Sequence, residues 1–172
     1  GAAVEFIPRG RFTPITDMTG GGKFQLERGL WTDDTSMALC LADSLLAVNG
    51  FDPDDQMERY ARWLFTGYNS SRPKAFGIGQ TVLKAILAFR KTGEAYSGPT
   101  ASISSGNGSL MRLAPIPIFY FRKPEQAIAF AGLSSQTTHG SAECVQACEY
   151  FSYILLRALS GVAKEQIFDP SA

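Results

Sequence analysis

The sequence lacks the features that mark several large classes of protein. Its 16 basic and 16 acidic residues balance, so no charge excess indicates a nucleic acid or an anionic membrane as partner. The longest apolar run, Leu113 to Phe121, contains two prolines and is too short to span a bilayer, and no secretory signal is recognisable. The expected partner is therefore a small molecule or another protein.

Cysteine and histidine are also scarce. Cys40, Cys144 and Cys148 have no paired spacing, which predicts buried thiols in a reducing, cytoplasmic setting rather than a disulfide scaffold. Cys144 and Cys148 share a helix face and His139, the single histidine, lies nearby. Two thiolates and one imidazole still leave a zinc site one ligand short, so structural thiols are the favoured interpretation.

Strand-like alternation is missing, and apolar residues recur at helical spacing from residue 32 onward. Proline at helix starts and glycine at helix ends help to place the boundaries. The pattern predicts an all-α protein, with helices over about 33–46, 53–67, 77–92, 124–135 and 141–161. We expect residues 1–172 to form a single compact helical domain, with a long loop rich in glycine and proline over residues 1–30.

The segment Trp31-Thr32-Asp33-Asp34-Thr35-Ser36 stands where that loop ends and the first helical pattern begins. Threonine and aspartate are common helix-capping residues, so capping is one interpretation. Both aspartates cannot cap one helix end, however, and adjacent carboxylates repel unless a cation lies between them. Magnesium is often held by one or two carboxylates, so Thr32, Asp33 and Asp34 are candidate ligands for one hard cation.

The N-terminal loop contains Glu5 and the triplet Gly20-Gly21-Gly22. Loops of this length without regular structure are usually functional or disordered. We predict that this one brings Glu5 and the triglycine towards Thr32, and the alternative is a flexible terminal arm.

Two further segments carry small polar residues. Ser104 to Pro115 begins with serines and Gly106-Asn107-Gly108, an arrangement whose backbone amides can hold a phosphate, although a plain turn also uses it. Arg112 follows, and we expect it to pair with Asp33 and Asp34 or with a phosphate. The second segment, Ser134 to Gly140, places His139 at a polar helix junction, where a structural role and a ligand-binding role are both open.

Together these motifs resemble the ADP-ribosylglycohydrolase family, which includes dinitrogenase-reductase-activating glycohydrolases and mammalian ADP-ribosyl-acceptor hydrolases. The matching segments occur in family order over nearly the whole chain. They are Val4-Glu5-Phe6, Trp31-Thr32-Asp33-Asp34-Thr35, Phe76-Gly77-Ile78-Gly79, Gly106-Asn107-Gly108-Ser109-Leu110-Met111-Arg112-Leu113-Ala114-Pro115 and Thr137-Thr138-His139.

The resemblance implies an all-helical hydrolase that uses two magnesium ions to cleave ADP-ribose from a protein or small-molecule acceptor. It implies that Thr32, Asp33 and Asp34 bind metal, and that Glu5 acts with the two aspartates in catalysis. The residues that it assigns to substrate binding are Ser105, Gly106, Asn107, Gly108, Ser109 and His139.

The chain also departs from the family pattern. Family members carry a second acidic motif, Asp-x-Asp-Thr, and an N-terminal helix with a Gly-Asp pair, and neither is found here. We therefore expect a chain truncated at both ends that holds one half of a metal site. The alternatives are an ADP-ribose-binding module and a structural protein, because the resemblance extends to a lens crystallin.

Overall fold

The computed structural model of the chain describes residues 1–168, and the prediction of an all-α fold is confirmed over this range. The only β-type pairing in it is an isolated bridge between Gly21 and Leu26. No helix among these residues has the length and apolar character needed to cross a membrane. The α-helices are α1 (Asp33–Val48), α2 (Pro53–Thr66), α3 (Gln80–Thr92), α4 (Gly108–Met111), α5 (Pro115–Phe119), α6 (Pro124–Gln136) and α7 (Ala142–Leu159).

Local sequence sets most of the helix ends. Asp52 caps α2 by accepting hydrogen bonds from the amides of Asp54 and Asp55, at 2.9 and 3.1 Å, and Gly67 ends the helix with a φ of 76°. Ser141 caps α7 in the same way, because its Oγ accepts from the amide of Cys144 at 3.3 Å. The start at Pro53, the end at Gly67 and the start at Ser141 are the ones that the sequence predicted.

Helix α3 begins later than predicted. The apolar pattern suggested a start at residue 77, whereas the helix begins at Gln80. Gly77 has a φ of +80° and Gly79 is extended at φ −74°, ψ 149°, so neither residue is helical. The segment before α3 is instead a loop, and this loop forms part of the site described below.

Helix α1 lies between two clusters of buried side chains. Met37 and Cys40 belong to a cluster with α2 and α3, and Leu41 and Leu45 belong to another with the segment around α5 and with α6 and α7. Burying each large apolar side chain contributes about 1.5–3 kcal/mol, so both clusters fix α1 firmly. The partners of α1 in them include Met57, Tyr60, Trp63, Val82 and Ile86 on one side and Leu113, Ile116, Ala131, Cys148 and Leu156 on the other.

Helical spacing in the sequence predicts an apolar face on α1 at residues 38, 39, 41, 42, 45 and 46, and we expect the helix over 141–161 to cover it. The structure corrects both points. The predicted apolar face included Leu39 and Leu46, but these side chains are 39 % and 72 % exposed. The helix over 141–161 was expected to cover α1, whereas α1 packs mainly on α2 and α5, and α7 packs mainly on α6. The buried side chains of α1, at Ser36, Met37, Cys40, Leu41, Ser44 and Leu45, follow one another around one side of the helix, and Leu39 and Leu46 lie on the opposite side.

Residues 1–32 consist of turns and the short bridge at Gly21 and Leu26. The 67–79 loop fastens the end of this segment to the helices. The indole nitrogen of Trp31 donates to the carbonyl of Asn69 at 3.2 Å, and the hydroxyl of Ser71 donates to the carbonyl of Trp31 at 2.5 Å. These bonds position the residue immediately before Thr32, and so the start of α1.

Candidate active site

One cavity, of about 320 Å³, brings together distant parts of the chain. It lies between the N-terminal segment, the start of α1, the loop before α3, the loop before α4 and the junction of α6 with α7. Three of the predicted site residues, Thr32, Ser105 and Ser109, do not line it. The predicted residues that do line it are Glu5, Asp33, Asp34, Gly106, Asn107, Gly108 and His139.

The first wall of the cavity is acidic. Burial, together with repulsion by Asp34 and Glu5, raises the pKa of Asp33 from 3.8 to about 7, against a lowering by nearby backbone amides. Burial also raises the pKa of Asp34; Glu5 adds to this effect and Arg112 opposes it. Three carboxylates therefore share one cavity with little compensating charge, and this arrangement favours uptake of a proton or a cation.

Helix capping does not account for Thr32. This residue is the N-cap of α1, yet its side chain makes no capping hydrogen bond. Only its carbonyl is engaged, by the amide and the hydroxyl of Ser36, at 3.2 and 3.1 Å. Thr32 is 9 % exposed, and its hydroxyl has no hydrogen-bond partner among residues 1–168.

The oxygen atoms at the start of α1 suit part of a magnesium site. Two carboxylates and a hydroxyl are hard donors, and magnesium is commonly held by one or two carboxylates while it keeps several waters. Over the described range, however, no group of three or more His, Cys, Asp and Glu side chains is placed to hold one metal ion. The residues present would thus supply one side of a coordination shell.

The second wall is the glycine-rich loop before α4. The amides of Gly106, Asn107, Gly108 and Ser109 donate no hydrogen bond within residues 1–168. Such a row of free amides suits an anion, because each one can donate to an anionic oxygen.

Side-chain contacts attach this loop to α6 and α7. The Cys144 thiol donates to the carbonyl of Gly106 at 3.2 Å, and the Ser109 hydroxyl accepts from Ser135 at 2.9 Å and from Cys148 at 3.4 Å. The hydroxyl of Ser105 is bonded to that of Ser141 at 2.7 Å. The side chains of Ser105 and Ser109 therefore hold the loop in place and do not line the cavity.

His139 lies against the same loop. A Cβ atom added at Gly106 would stand 3.6 Å from Nε2 of His139, and one added at Gly108 would stand 3.3 Å from the same atom. Burial and the charge of Arg112 lower the pKa of His139 to about 4, so the imidazole is neutral at physiological pH.

Arg112 does not make the ion pair that the sequence suggested. Its guanidinium is 1 % exposed, donates to the carbonyl of Ser134 at 3.0 Å and to Thr137 Oγ1 at 3.4 Å, and lies 5.0 Å from the ring centre of Tyr60. No salt bridge to Asp33 or Asp34 is formed in the described part of the chain. The guanidinium is buried beneath the site and acts on Asp34 and His139 through its charge alone.

The loop before α3 contributes cavity residues that were not among the predicted site residues. Gln80 and Thr81 line the cavity, and a Cβ atom at Gly77 would stand 2.7 Å from Asp33 Oδ1. The positive φ of Gly77 and this close approach both require glycine. The one signal in the sequence was the segment Phe76-Gly77-Ile78-Gly79, which immediately precedes Gln80.

An aromatic chain fixes Glu5 relative to the acidic wall. The rings of Phe6 and Phe24 are 5.8 Å apart, and those of Phe24 and Phe76 are 5.3 Å apart. Arg72 completes this cluster: it donates to the carbonyls of Phe24 and Gln25 at 2.7 and 3.0 Å, and it lies 5.0 Å from the ring centre of Phe76. Arg72 therefore ties the segment that carries Glu5 to the loop that supports Asp33.

Replacing Arg72 by alanine should release this segment. We expect faster hydrogen exchange at the amides of Gly21 and Leu26 and a loss of about 1.5–3 kcal/mol in local stability, because two hydrogen bonds to a charged group are removed. Arg122→Ala, at an exposed arginine, is the matched control. Equal exchange rates in the two variants would show that Arg72 does not hold the segment.

The similarity of the chain to known proteins agrees with this site. The family model described as ADP-ribosylglycohydrolase matches residues 1–171. The chain belongs to the ADP-ribosylglycohydrolase family. In this family it is 36 % identical over 170 residues to the ADP-ribosylarginine hydrolase Tri1 of Serratia proteamaculans, an alignment that covers 99 % of the chain and 46 % of the relative.

Two further comparisons support membership of the ADP-ribosylglycohydrolase family. The ADP-ribosyl-[dinitrogen reductase] glycohydrolase of Rhodospirillum rubrum is 32 % identical over 152 residues, which are 86 % of the chain and 49 % of that protein. A solved structure described as an ADP-ribosylglycohydrolase-related protein complex superposes with a TM-score of 0.82 at 42 % identity, covering 96 % of the chain and 53 % of the solved one. The chain thus spans about half the length of the relatives that it matches.

Proposed function

We propose that the chain forms part of a magnesium-dependent hydrolase that cleaves the glycosidic bond between ADP-ribose and an acceptor. One observation carries the proposal. A cavity of about 320 Å³ has three carboxylates on one wall, and on the other it has a glycine loop with free amides beside a neutral histidine. The first wall suits divalent cations and the second suits a diphosphate, the two charged components of the proposed reaction.

Each wall has a separate task in this proposal. Asp33, Asp34 and Thr32 hold one side of the metal shell, and Glu5 faces the same space from the N-terminal segment. The amides of residues 106–109 receive the diphosphate and thereby direct the distal ribose towards the carboxylates. Bound magnesium supplies Lewis acidity and positive charge next to that ribose. The neutral carboxyl form of Asp33 must lose its proton before it can serve as a ligand.

We propose ADP-ribosylated protein as the substrate class, with arginine-linked ADP-ribose as the first linkage to test. The support is the 36 % identity to a relative named as an ADP-ribosylarginine hydrolase. A cytoplasmic location is proposed from the three cysteines, which are free and buried and therefore suit a reducing compartment.

Binding without catalysis is the second candidate function, as in an ADP-ribose-binding module or a crystallin-like structural protein. The glycine loop with free amides beside the neutral His139 favours it, because these groups can hold a diphosphate without a metal. The crowded carboxylates oppose it, because Asp33 and Asp34 are held together at an electrostatic cost that a scaffold does not need.

The experiment is a magnesium titration together with an assay for ADP-ribose release from an ADP-ribosylarginine peptide. It is performed in parallel on the 172-residue chain and on the full product of its gene. We expect weak magnesium binding by the 172-residue chain, because its few protein oxygens stand at a helix N-terminus whose partial positive charge opposes a cation. The full gene product should bind magnesium more tightly and release ADP-ribose only when magnesium is present.

The outcomes separate the two candidate functions. Binding of ADP-ribose without release by either protein would favour the binding module. Robust magnesium-dependent release by the 172-residue chain would show that its own residues complete the metal centre. Release that continues in excess chelator would contradict the proposed role of the metal.

A further inference from the structure

The side chain of Thr138 has an unusual position beside His139. Thr138 is fully buried, and its hydroxyl has one hydrogen-bond partner among residues 1–168, the Nδ1 atom of His139 at 2.9 Å. Neighbouring Thr137 is different, because its hydroxyl donates to the carbonyl of Ser134 at 2.8 Å and contacts Gln56 and Arg112. Within these residues the Thr138 hydroxyl is thus bonded only to the imidazole.

This contact determines which nitrogen of His139 carries the proton. A hydroxyl has a single hydrogen to donate, and a buried donor without an acceptor costs about 1–3 kcal/mol. If Nδ1 were the donor, the Thr138 hydrogen would have no acceptor within the described residues. The lower-energy arrangement has Thr138 donating to an unprotonated Nδ1. In a neutral imidazole the remaining proton is then on Nε2.

The Nε2 atom faces the glycine loop. It stands 3.6 and 3.3 Å from the positions that Cβ atoms would occupy at Gly106 and Gly108, and His139 lines the cavity with both residues. No acceptor for an Nε2 proton is found among residues 1–168. The donor is therefore left for a ligand.

We infer that Thr138 is a positioning residue, which holds His139 as the Nε2–H tautomer so that the imidazole donates a hydrogen bond to an oxygen of the ligand on the Gly106–Gly108 loop. The identity of that ligand, a diphosphate or its attached ribose, rests on the proposed function. Together with the free amides of the loop, this donor favours a ligand that places an acceptor oxygen there. A protonated Nε2 also has no lone pair for a metal, and His139 is thereby excluded as a metal ligand in this tautomer.

Nitrogen NMR tests the tautomer directly, because His139 is the only histidine in the 172 residues. The chain is labelled with ¹⁵N-histidine and its two imidazole nitrogens are observed at about pH 7, where a group with a pKa of about 4 is neutral. We expect a protonated, pyrrole-type Nε2 and an unprotonated, pyridine-type Nδ1. A pyrrole-type Nδ1 would overturn the inference without any variant being made.

Two variants test the role of the hydroxyl. Thr138→Ser keeps the donor and should retain the wild-type nitrogen signals. Thr138→Val removes it and should give averaged signals from both tautomers, with ADP-ribose binding about five- to tenfold weaker by calorimetry. Unchanged signals in Thr138→Val, or unchanged affinity despite changed signals, would overturn the positioning role.

The measurements also separate this inference from the proposed function. The tautomer is read without a ligand, and ADP-ribose is titrated afterwards. A wild-type chain that has the Nε2–H tautomer but binds no ADP-ribose would overturn the proposed function and support the tautomer assignment. Should Thr138→Val fail to fold, the wild-type spectrum and the Thr138→Ser comparison still decide the inference.

Discussion

Asp33→Asn should make the metal-free protein more stable at about pH 8 and remove its response to magnesium. Burial and the repulsion by Asp34 and Glu5 raise the pKa of Asp33 to about 7 in the folded state, against 3.8 for the free side chain. The folded protein therefore holds this proton more tightly than the unfolded chain does. Stability consequently falls as the pH rises from about 4 through about 7, where the charged carboxylate must be accommodated.

The expected gain for Asp33→Asn at about pH 8 is about 1–2 kcal/mol, once solvent screening of this partly exposed group is allowed for. The gain should vanish below about pH 4, where the carboxyl is protonated in both states. The measurement is urea unfolding at several pH values, with Asp17→Asn, at an exposed aspartate, as the control. A parent protein as stable as Asp33→Asn at about pH 8 would contradict the description of the acidic wall.

The parent and Asp33→Asn should also differ in their response to magnesium. A cation between the carboxylates displaces the proton of Asp33, so the affinity of the parent for magnesium should rise by up to about tenfold per pH unit below pH 7. Excess magnesium should stabilise the parent and leave Asp33→Asn nearly unchanged. Equal stabilisation of both would place the metal away from Asp33.

Asn107→Ala should weaken the binding of ADP-ribose by at least about tenfold. The side chain of Asn107 lines the cavity and makes no capping hydrogen bond to α4, so its amide group is available to a ligand. A hydrogen bond to a charged phosphate contributes about 1.5–3 kcal/mol. Since the residue is exposed and has no partner to lose, the melting temperature should hardly change.

Asn107→Asp sharpens the test, because it keeps the shape of the side chain and adds a negative charge. Its affinity for ADP-ribose should fall below that of Asn107→Ala, and less so at high salt, since charge repulsion is screened. Calorimetry with ADP-ribose on both variants gives the measurement. Unchanged affinity in Asn107→Ala would count against binding of phosphate by this loop.

The sequence contained enough local information to predict most of the helices. Asp52 with Pro53, and Gly67 at the other end, define α2 through hydrogen bonds within a few residues of each other. The start of α3 was misplaced because Gly77 has a φ of +80° and lies close against Asp33, which is 44 residues earlier in the chain. Local pattern cannot report a contact over that distance.

In the candidate site, too, local features could be predicted from the sequence and long-range arrangement could not. The types of residue were readable from the sequence, since paired carboxylates, a glycine loop and a lone histidine each have a known chemistry. The sequence did not show how these residues are placed relative to one another. Arg112 was expected beside Asp33 and Asp34, but it lies under Tyr60 and Thr137, because the α4–α5 segment turns it towards the core.

The sequence by itself determined the helical class, the family motifs and the chemical nature of both walls, because these depend on residue type and short-range spacing. Only the tertiary structure decided that Glu5 faces Asp33, that Ser105 and Ser109 turn towards α6 and α7, and that Thr138 bonds to His139. These facts depend on how α1, α6 and α7 pack around two clusters of buried side chains. Packing over long sequence separations sets the protonation of Asp33 and His139, and residue spacing alone cannot encode it.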